Sequence, residues 1–225
     1  MTEWKKKNFV VGHFGSGKTE FSIHLALELR KIHEDVAAVD LDIINVYFRL
    51  REQEALLKEK GIQLYSSSVR NDTLDIPALD AGIYAPLENP DTWAVVDVGG
   101  NPSGARALGR YAPYFQEGSY DTFLVINANR PETETAEQVI RFLEGIEMKG
   151  RIRVTQLVNT TNMLKETSVE DLLRGYELVQ CVSKETGIPI WGSACLSHLV
   201  PALQKKGMPG RILSMDLLFR SDWMS

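Results

Sequence analysis

Cysteine is scarce in this chain: Cys181 and Cys195 are the 2 present among 225 residues. They cannot form a CxxC pair or a multi-thiolate metal site, and they fit a reduced, cytoplasmic setting. Both read as small buried hydrophobes. Positive charge is not in excess. Lys and Arg total 25 against 30 Asp and Glu, for a net charge of −5, so the basic footprint of a nucleic-acid groove is missing. The run Lys5-Lys6-Lys7 reads as a solvated lead-in to the first strand. No stretch approaches the roughly 18 apolar residues of a membrane span, and the first residues carry no apolar signal-peptide core. Internal repeats, linkers and low-complexity segments are also lacking. What remains is a 44% hydrophobic chain, long enough to bury a substantial core as one globular domain over residues 1–225.

That chain alternates short apolar runs with helical stretches. Strands are expected at Phe9–Val11, Val36–Val39, Ile62–Tyr65, Trp93–Val96, Phe123–Ile126, Val154–Val158 and Ile188–Trp191. They are short and continuously apolar, as in a parallel sheet buried on both faces. Helices are expected over Thr19–His33, Val46–Lys60, Pro77–Leu87, Pro102–Tyr114, Asn129 to about Met148, and Val169–Glu185, with a mostly helical tail from Pro201. The alternation predicts an α/β fold, a mostly parallel central sheet with helices on both faces in three layers.

The most specific stretch is Phe9 to Glu20. It holds Gly12, four intervening residues, then Gly17-Lys18-Thr19, the phosphate-loop pattern with its required spacing. An apolar strand delivers the chain to a turn in which Gly12, Gly15 and Gly17 let backbone N–H groups curl around an anion, with His13 and Ser16 between them. The helix that follows points its free N–H groups, those of Thr19 and Glu20 included, at the same anion. Lys18 is expected to reach the β- and γ-phosphates, and the Thr19 hydroxyl to hold Mg²⁺.

In an open α/β sheet, ligands sit beyond the carboxyl ends of the strands. Asp40 and Asp42, Asp97 to Gly100, Asn127 to Asn129, and Asn159 each follow an apolar run directly. A single acid there is as often a turn residue; two such ends beside a phosphate loop are better read as a Mg²⁺ and water-handling site. Asp97 fits the carboxylate that holds Mg²⁺ or its water shell. Gly99 and Gly100 allow the backbone to approach a γ-phosphate.

In their order, the phosphate loop, Asp40-Leu41-Asp42 and Val95-Val96-Asp97-Val98-Gly99-Gly100 resemble the SIMIBI class of P-loop NTPases, closest to MinD/ParA-like and CobQ/CobB-like ATPases. The resemblance covers about residues 7–195. It implies that Asp42 positions the attacking water, that Asp40 lies near Lys18 and Mg²⁺, and that Asn159 reads the adenine edge, with Ala194 to His198 flanking the base. Two departures stand out. His13 occupies the place of a signature lysine that in MinD/ParA-like proteins reaches across a dimer, so a sandwich homodimer is not implied. Residues 98–130 hold no cysteine, which excludes electron transfer of the nitrogenase iron-protein kind. No Asn-Lys-x-Asp guanine reader follows any strand, Asn159-Thr160-Thr161-Asn162 being a poor substitute, so the expected ligands are ATP and ADP with Mg²⁺.

Among the arginines, Arg49, Arg51, Arg106, Arg110 and Arg130 are phosphate candidates, and Arg130, at a strand end, is the best of them. Three readings of function remain open: a slow ATPase switching conformation for a protein client, an ATP-dependent ligase or kinase on a small acid resembling dethiobiotin synthetase, and an ATP-gated adaptor.

Overall fold

The computed structural model describes residues 4–42, 50–66, 81–106, 108–109, 111 and 118–219. Eight strands, β1 (Lys7–Gly12), β2 (Val36–Leu41), β3 (Gln63–Ser66), β4 (Trp93–Val98), β5 (Tyr120–Ile126), β6 (Gln156–Asn159), β7 (Ile190–Leu196) and β8 (Arg211–Met215), pair in the order β3-β2-β4-β1-β5-β6-β7-β8. Every pairing is parallel. All carboxyl ends therefore open on one edge, and β1, which leads into the phosphate loop, lies between β4 and β5. This is the P-loop NTPase-like α/β fold.

Strand alternation sorts the core into two layers of packing. Val10, Val36, Ala38, Val95 and Phe123 face α1 (Lys18–Arg30) and α2 (Glu54–Glu59), burying Phe21, Leu25, Leu29 and Leu57. Phe9, Val11, Val39, Val96 and Leu124 face the opposite layer, which holds α3 (Ala85–Glu88), α4 (Pro102–Ala105), α5 (Ala136–Gly150) and α6 (Val169–Thr186). A satellite cluster joins α6 to α7 (Val200–Lys205) through Leu172, Tyr176 and Leu203. Fully burying one such side chain contributes about 1.5–3 kcal/mol. The parity of the strands thus places a hydrophobic face under every helix layer.

Local chemistry sets the element ends. At α5, Thr135 accepts from Gln138 N while the Gln138 side chain accepts from Thr135 N; α6 repeats this reciprocal cap with Ser168 and Asp171. Gly187 closes α6 at φ 74, a left-handed cap that glycine adopts without penalty.

The structure departs from the sequence reading in five places. Cys181 is exposed on α6, and only Cys195 is buried. The tail from Pro201 is not mostly helical: α7 is short, and Arg211–Met215 adds to the sheet edge as β8. Helix α5 starts at Ala136, because Asn129 to Thr133 is drawn into a turn around Asn127 while Thr135 and Gln138 supply the true capping box. Helix α1 lacks the broad wet face its charges suggest, since Ser22 and His24 are buried along with its apolar residues. The helical stretches expected over Val46–Lys60, Pro77–Leu87 and Pro102–Tyr114 lie partly outside the described residues. Within those residues they reduce to the turn Leu50–Gln53 with α2, the turn Ala81–Tyr84 with α3, and α4. No helix among the described residues is long and apolar enough to cross a membrane.

Candidate functional site

The phosphate loop runs from the end of β1 into α1. Gly15 and Gly17 sit at φ 71 and φ 84, backbone conformations that a side chain would resist, and Gly17 is the residue from which α1 begins. Lys18 opens the helix and is almost fully buried, its Nζ donating to His13 O at 3.3 Å. Burial pushes the Lys18 ammonium below its ordinary pKa, and the carboxylates of Asp97 and Asp42 pull it back. The Phe14 ring stands over the same ammonium, 5.6 Å from Nζ to the ring centroid. Across from it lies Gly100, where a Cβ would fall 2.8 Å from both Lys18 Nζ and the Phe14 ring. Only glycine lets the turn after β4 come this close.

Three acids gather beneath that turn. Asp40 and Asp97 occur at the same register position of β2 and β4. Asp97 is buried and driven up to about 7, chiefly by desolvation, against the opposing pull of Lys18 and a hydrogen bond from the Thr19 hydroxyl. Ser22 Oγ donates to Asp97 Oδ1 at 3.4 Å. Asp40 is raised to about 6 by its burial, eased by a hydrogen bond from Asp42 N at 3.0 Å and by Arg51, whose Nε lies 3.9 Å from Oδ2. The Asp42 carboxylate abuts the next turn, 3.3 Å from where a Cβ on Gly99 would sit.

These groups suit a divalent cation in one specific sense. Asp40 Oδ2 is buried with no hydrogen-bond donor, and the donor set of Thr19, Asp97 and Asp40 is all hard oxygen, the preference of Mg²⁺. Among the described residues no three His, Cys, Asp or Glu side chains form a metal cage. That accords with Mg²⁺, which takes one or two carboxylates and completes its shell with waters and substrate phosphates.

A cleft extends from the loop over the N-terminus of α1. It is lined by Phe14, Gly15, Gly17, Lys18, Thr19, Glu20 and Arg130 at one end, and by Thr161, Asn162, Leu164, Ala194, Cys195 and Leu196 further along. Its outer wall is Met215, which ends β8, with Asp216, Leu217 and Phe219 after it. Two side chains of α1 hold that wall. Glu20 Oε1 accepts from Leu218 N at 3.0 Å and from Phe219 N at 3.4 Å. His24 Nε2 accepts from Asp216 N at 2.9 Å, so the ring proton is on Nδ1, 2.9 Å from Glu20 O. Desolvation holds the His24 pKa below its ordinary value.

Of the residues singled out in the sequence, Gly15, Gly17, Lys18, Thr19 and Glu20 line the cleft, and Asp40, Asp42, Asp97 and Gly100 cluster beside Lys18. Gly12 ends β1, and Ser16 is buried, its carbonyl accepting from Thr160 Oγ1 at 2.6 Å. His13 turns its ring away toward Phe142 of α5, with Nδ1 3.9 Å from Glu132, and only its carbonyl meets Lys18. Asn159 does not reach the cleft. It is buried against α6, with Nδ2 donating to Leu172 O and Ser193 Oγ at 2.9 and 3.2 Å and Oδ1 accepting from Thr161 N at 3.1 Å. An amide committed on both sides is not available to a base edge, and Asn162 lines the cleft instead. Ala194 to Leu196 do flank it; His198 does not line it.

Sequence reasoning passed over Asp216, and it placed Asn127 at a strand end without giving it a role. Asn127 is buried at the end of β5 and ties three segments together, donating to Gly15 O and Asn162 O at 3.2 and 3.3 Å and accepting from Asn162 N at 3.2 Å. A polar residue directly after an apolar strand was the available signal. For Asp216 the signal was the short run Ile212-Leu213-Ser214-Met215 behind two glycines, which reads as a strand ending at an acid.

No protein family and no curated protein matches the sequence. Solved structures do match in fold. The cell division protein FtsY from Thermotoga maritima superposes with a TM-score of 0.56 at 18% identity, over 84% of this chain and 61% of that one. FlhF complexed with GMPPNP and Mg²⁺ gives 0.51 at 16% identity, over 84% and 66%. The Signal Recognition Particle 54 kDa protein from Aeropyrum pernix K1, in complex with GDP, gives 0.50 at 22% identity, over 80% and 40%. The chain thus spans less than two thirds of the length of each, and at these identities the likeness is one of fold.

Proposed function

We propose that this chain is a Mg²⁺-dependent nucleoside triphosphatase, a slow ATPase of MinD/ParA-like or CobQ/CobB-like type that switches conformation for a protein partner. The observation that carries the reading is the convergence of Lys18, Thr19, Asp97 and Gly100 at the carboxyl ends of β1 and β4, opening on a cleft long enough to continue past the phosphates. Lys18 and the loop amides would neutralise the β- and γ-phosphates. Thr19 and Asp97, with Asp40 beside them, would hold Mg²⁺ directly or through water. When bound, Mg²⁺ supplies positive charge where phosphoryl transfer concentrates negative charge. Asp42, which lies against Gly99, would orient a water toward the γ-phosphate.

ATP is proposed because no Asn-Lys-x-Asp follows any strand. A second reading, GTP, has its own support. The Asp216 carboxylate at the cleft wall suits a base that offers two N–H donors on one edge, as guanine does, and the FtsY of Elizabethkingia anophelis and the Aeropyrum protein were solved with GDP. Phosphate release from ATP and from GTP, with Mg²⁺ and with Lys18→Ala and Asp42→Asn as controls, tests both. Turnover of neither nucleotide by the wild type overturns the hydrolase reading, and competition between the two decides the base.

A further inference from the structure

Arg130 follows β5 and has a place in the structure that the roles assigned above do not use. Its backbone is fixed within a tight turn. Arg130 N donates to Asn127 O at 3.2 Å, Thr133 N donates to Arg130 O at 2.9 Å, and Thr133 Oγ1 donates to the same Asn127 carbonyl at 2.8 Å. Pro131 then sets the direction of the chain away from the site. The side chain returns across the phosphate loop, with Nε donating to Gly15 O at 3.1 Å. The guanidinium lies so close over Gly15 that a Cβ there would fall 2.7 Å from Cζ. Gly15, at φ 71, is thus the residue type that both the backbone and Arg130 require.

Nε is satisfied by a neutral carbonyl. Among the described residues the guanidinium forms no ion pair, and neither Nη has a protein partner, yet the side chain lines the cleft together with Lys18 and Thr19. The charge balance of the site explains what such a group is for. Lys18 is the one ammonium within the phosphate loop, His13 points away, and Asp40, Asp42 and Asp97 place three carboxyls nearby. A polyphosphate brought into that setting is stabilised by positive charge beyond that of one lysine and one divalent cation. A planar guanidinium with two unused N–H edges matches phosphate oxygens in a way a lysine cannot.

We propose that Arg130 is a phosphate-binding residue acting within its own chain, its Nη groups contacting the phosphate chain of the bound nucleotide while Nε holds the loop through Gly15. The inference rests on the nucleotide-binding reading above and adds a ligand group to it. It also makes the site's second cation independent of any partner copy.

The test is titration calorimetry of the full chain with ATP, ADP, GTP and GDP in the presence of Mg²⁺, comparing wild type, Arg130→Gln and Arg130→Lys from low to high salt. Arg130→Gln should weaken the preferred diphosphate and triphosphate at least about tenfold, Arg130→Lys should recover part of the loss, and the salt dependence of affinity should be shallower in Arg130→Gln than in wild type. Affinity within about twofold of wild type overturns the proposal. So does a loss of affinity with an unchanged salt dependence, which would mark Arg130 as a prop for the loop alone. Failure of the wild type to bind any of the four overturns the underlying reading, an outcome distinct from failure in the variants only.

Discussion

Asp40 and Asp97 are register partners on adjacent strands, and both point to the α1 side of the sheet. The alternation that sends Val36, Ala38 and Val95 into the α1-facing core sends the two acids there as well, Asp40 two positions after Ala38 and Asp97 two after Val95. Lys18 faces Asp97 from the first turn of α1. Both carboxyls lose hydration on burial, and neighbouring acids add a smaller repulsion, Asp42 on Asp40 and both Asp40 and Asp42 on Asp97, which is why both sit above the usual carboxylate range. A cation between strand ends and helix start relieves that cost.

The first prediction concerns this pair and pH. Asp97 moves from 3.8 to about 7 and Asp40 from 3.8 to about 6 on folding. A carboxyl whose pKa is raised holds its proton more tightly folded than unfolded, so the folded state is favoured at low pH and loses that advantage as pH rises through the folded values. The nucleotide-free protein should therefore lose stability on the order of a few kcal/mol between pH 3.8 and about 7, at about 1.4 kcal/mol per tenfold change in proton affinity. Urea unfolding at a series of pH values checks this. Asp97→Asn should flatten the slope, and an unchanged slope would remove Asp97 as its source.

Lys18→Ala should lower triphosphate affinity at least tenfold, about 1.4 kcal/mol or more, in calorimetry. The variant also leaves Asp97 without its opposing charge, so its nucleotide-free form should melt lower at neutral pH. Equal affinity in variant and wild type would contradict the placement of the phosphates.

Asn159→Ala separates framework from recognition. It removes the buried bonds to Leu172 O and Ser193 Oγ and from Thr161 N, a loss of about 1–3 kcal/mol in unfolding free energy. The preference between ATP and GTP should not move. A shift in that preference would return Asn159 to the base.

How far the sequence went is clear from these same residues. The phosphate loop, the acids of β2 and β4, and the parallel sheet were legible because buried strands are short apolar runs and because the loop's spacing is dictated by the geometry of an anion. Asn159 was not. It sits at a strand end like the others, but it shares a face with Leu157, which packs in the α5–α6 layer, and not with Val158, which packs toward α1. The side a strand end serves can be read only once the helices covering each face are known. Strand β8 was missed for a related reason. Five residues at a sheet edge, with Arg211 and Ser214 among them, carry too little apolar signal to outweigh a helical-looking approach through Val200–Lys205.

His24 makes the cleft wall sensitive to acid. Its neutral Nε2 accepts the N–H of Asp216, and its pKa lies below the ordinary 6.5. A base with a lowered pKa stabilises the folded arrangement above its ordinary value and stops doing so as pH falls through the folded one. Protection of the Asp216 and Leu218 amides, measured relative to their intrinsic exchange rates, should fall on acidification in wild type. In His24→Gln, which keeps an acceptor but does not titrate, protection should depend less on pH. Equal pH dependence of protection in the two proteins would count against this role for His24.

The wall that Glu20 and His24 hold has a consequence for the order in which the molecule becomes competent. The bond from Leu218 N to Glu20 Oε1 joins positions 198 residues apart. During synthesis the phosphate loop precedes residues 211–219, and its cleft stays open on one side until β8 has docked beside β7. Closing so long a chain segment is paid for once, entropically, by the whole β1–β8 assembly. On the nucleotide-binding reading, capture then depends on residues 211–219: a chain lacking them would carry the motif and lack the wall.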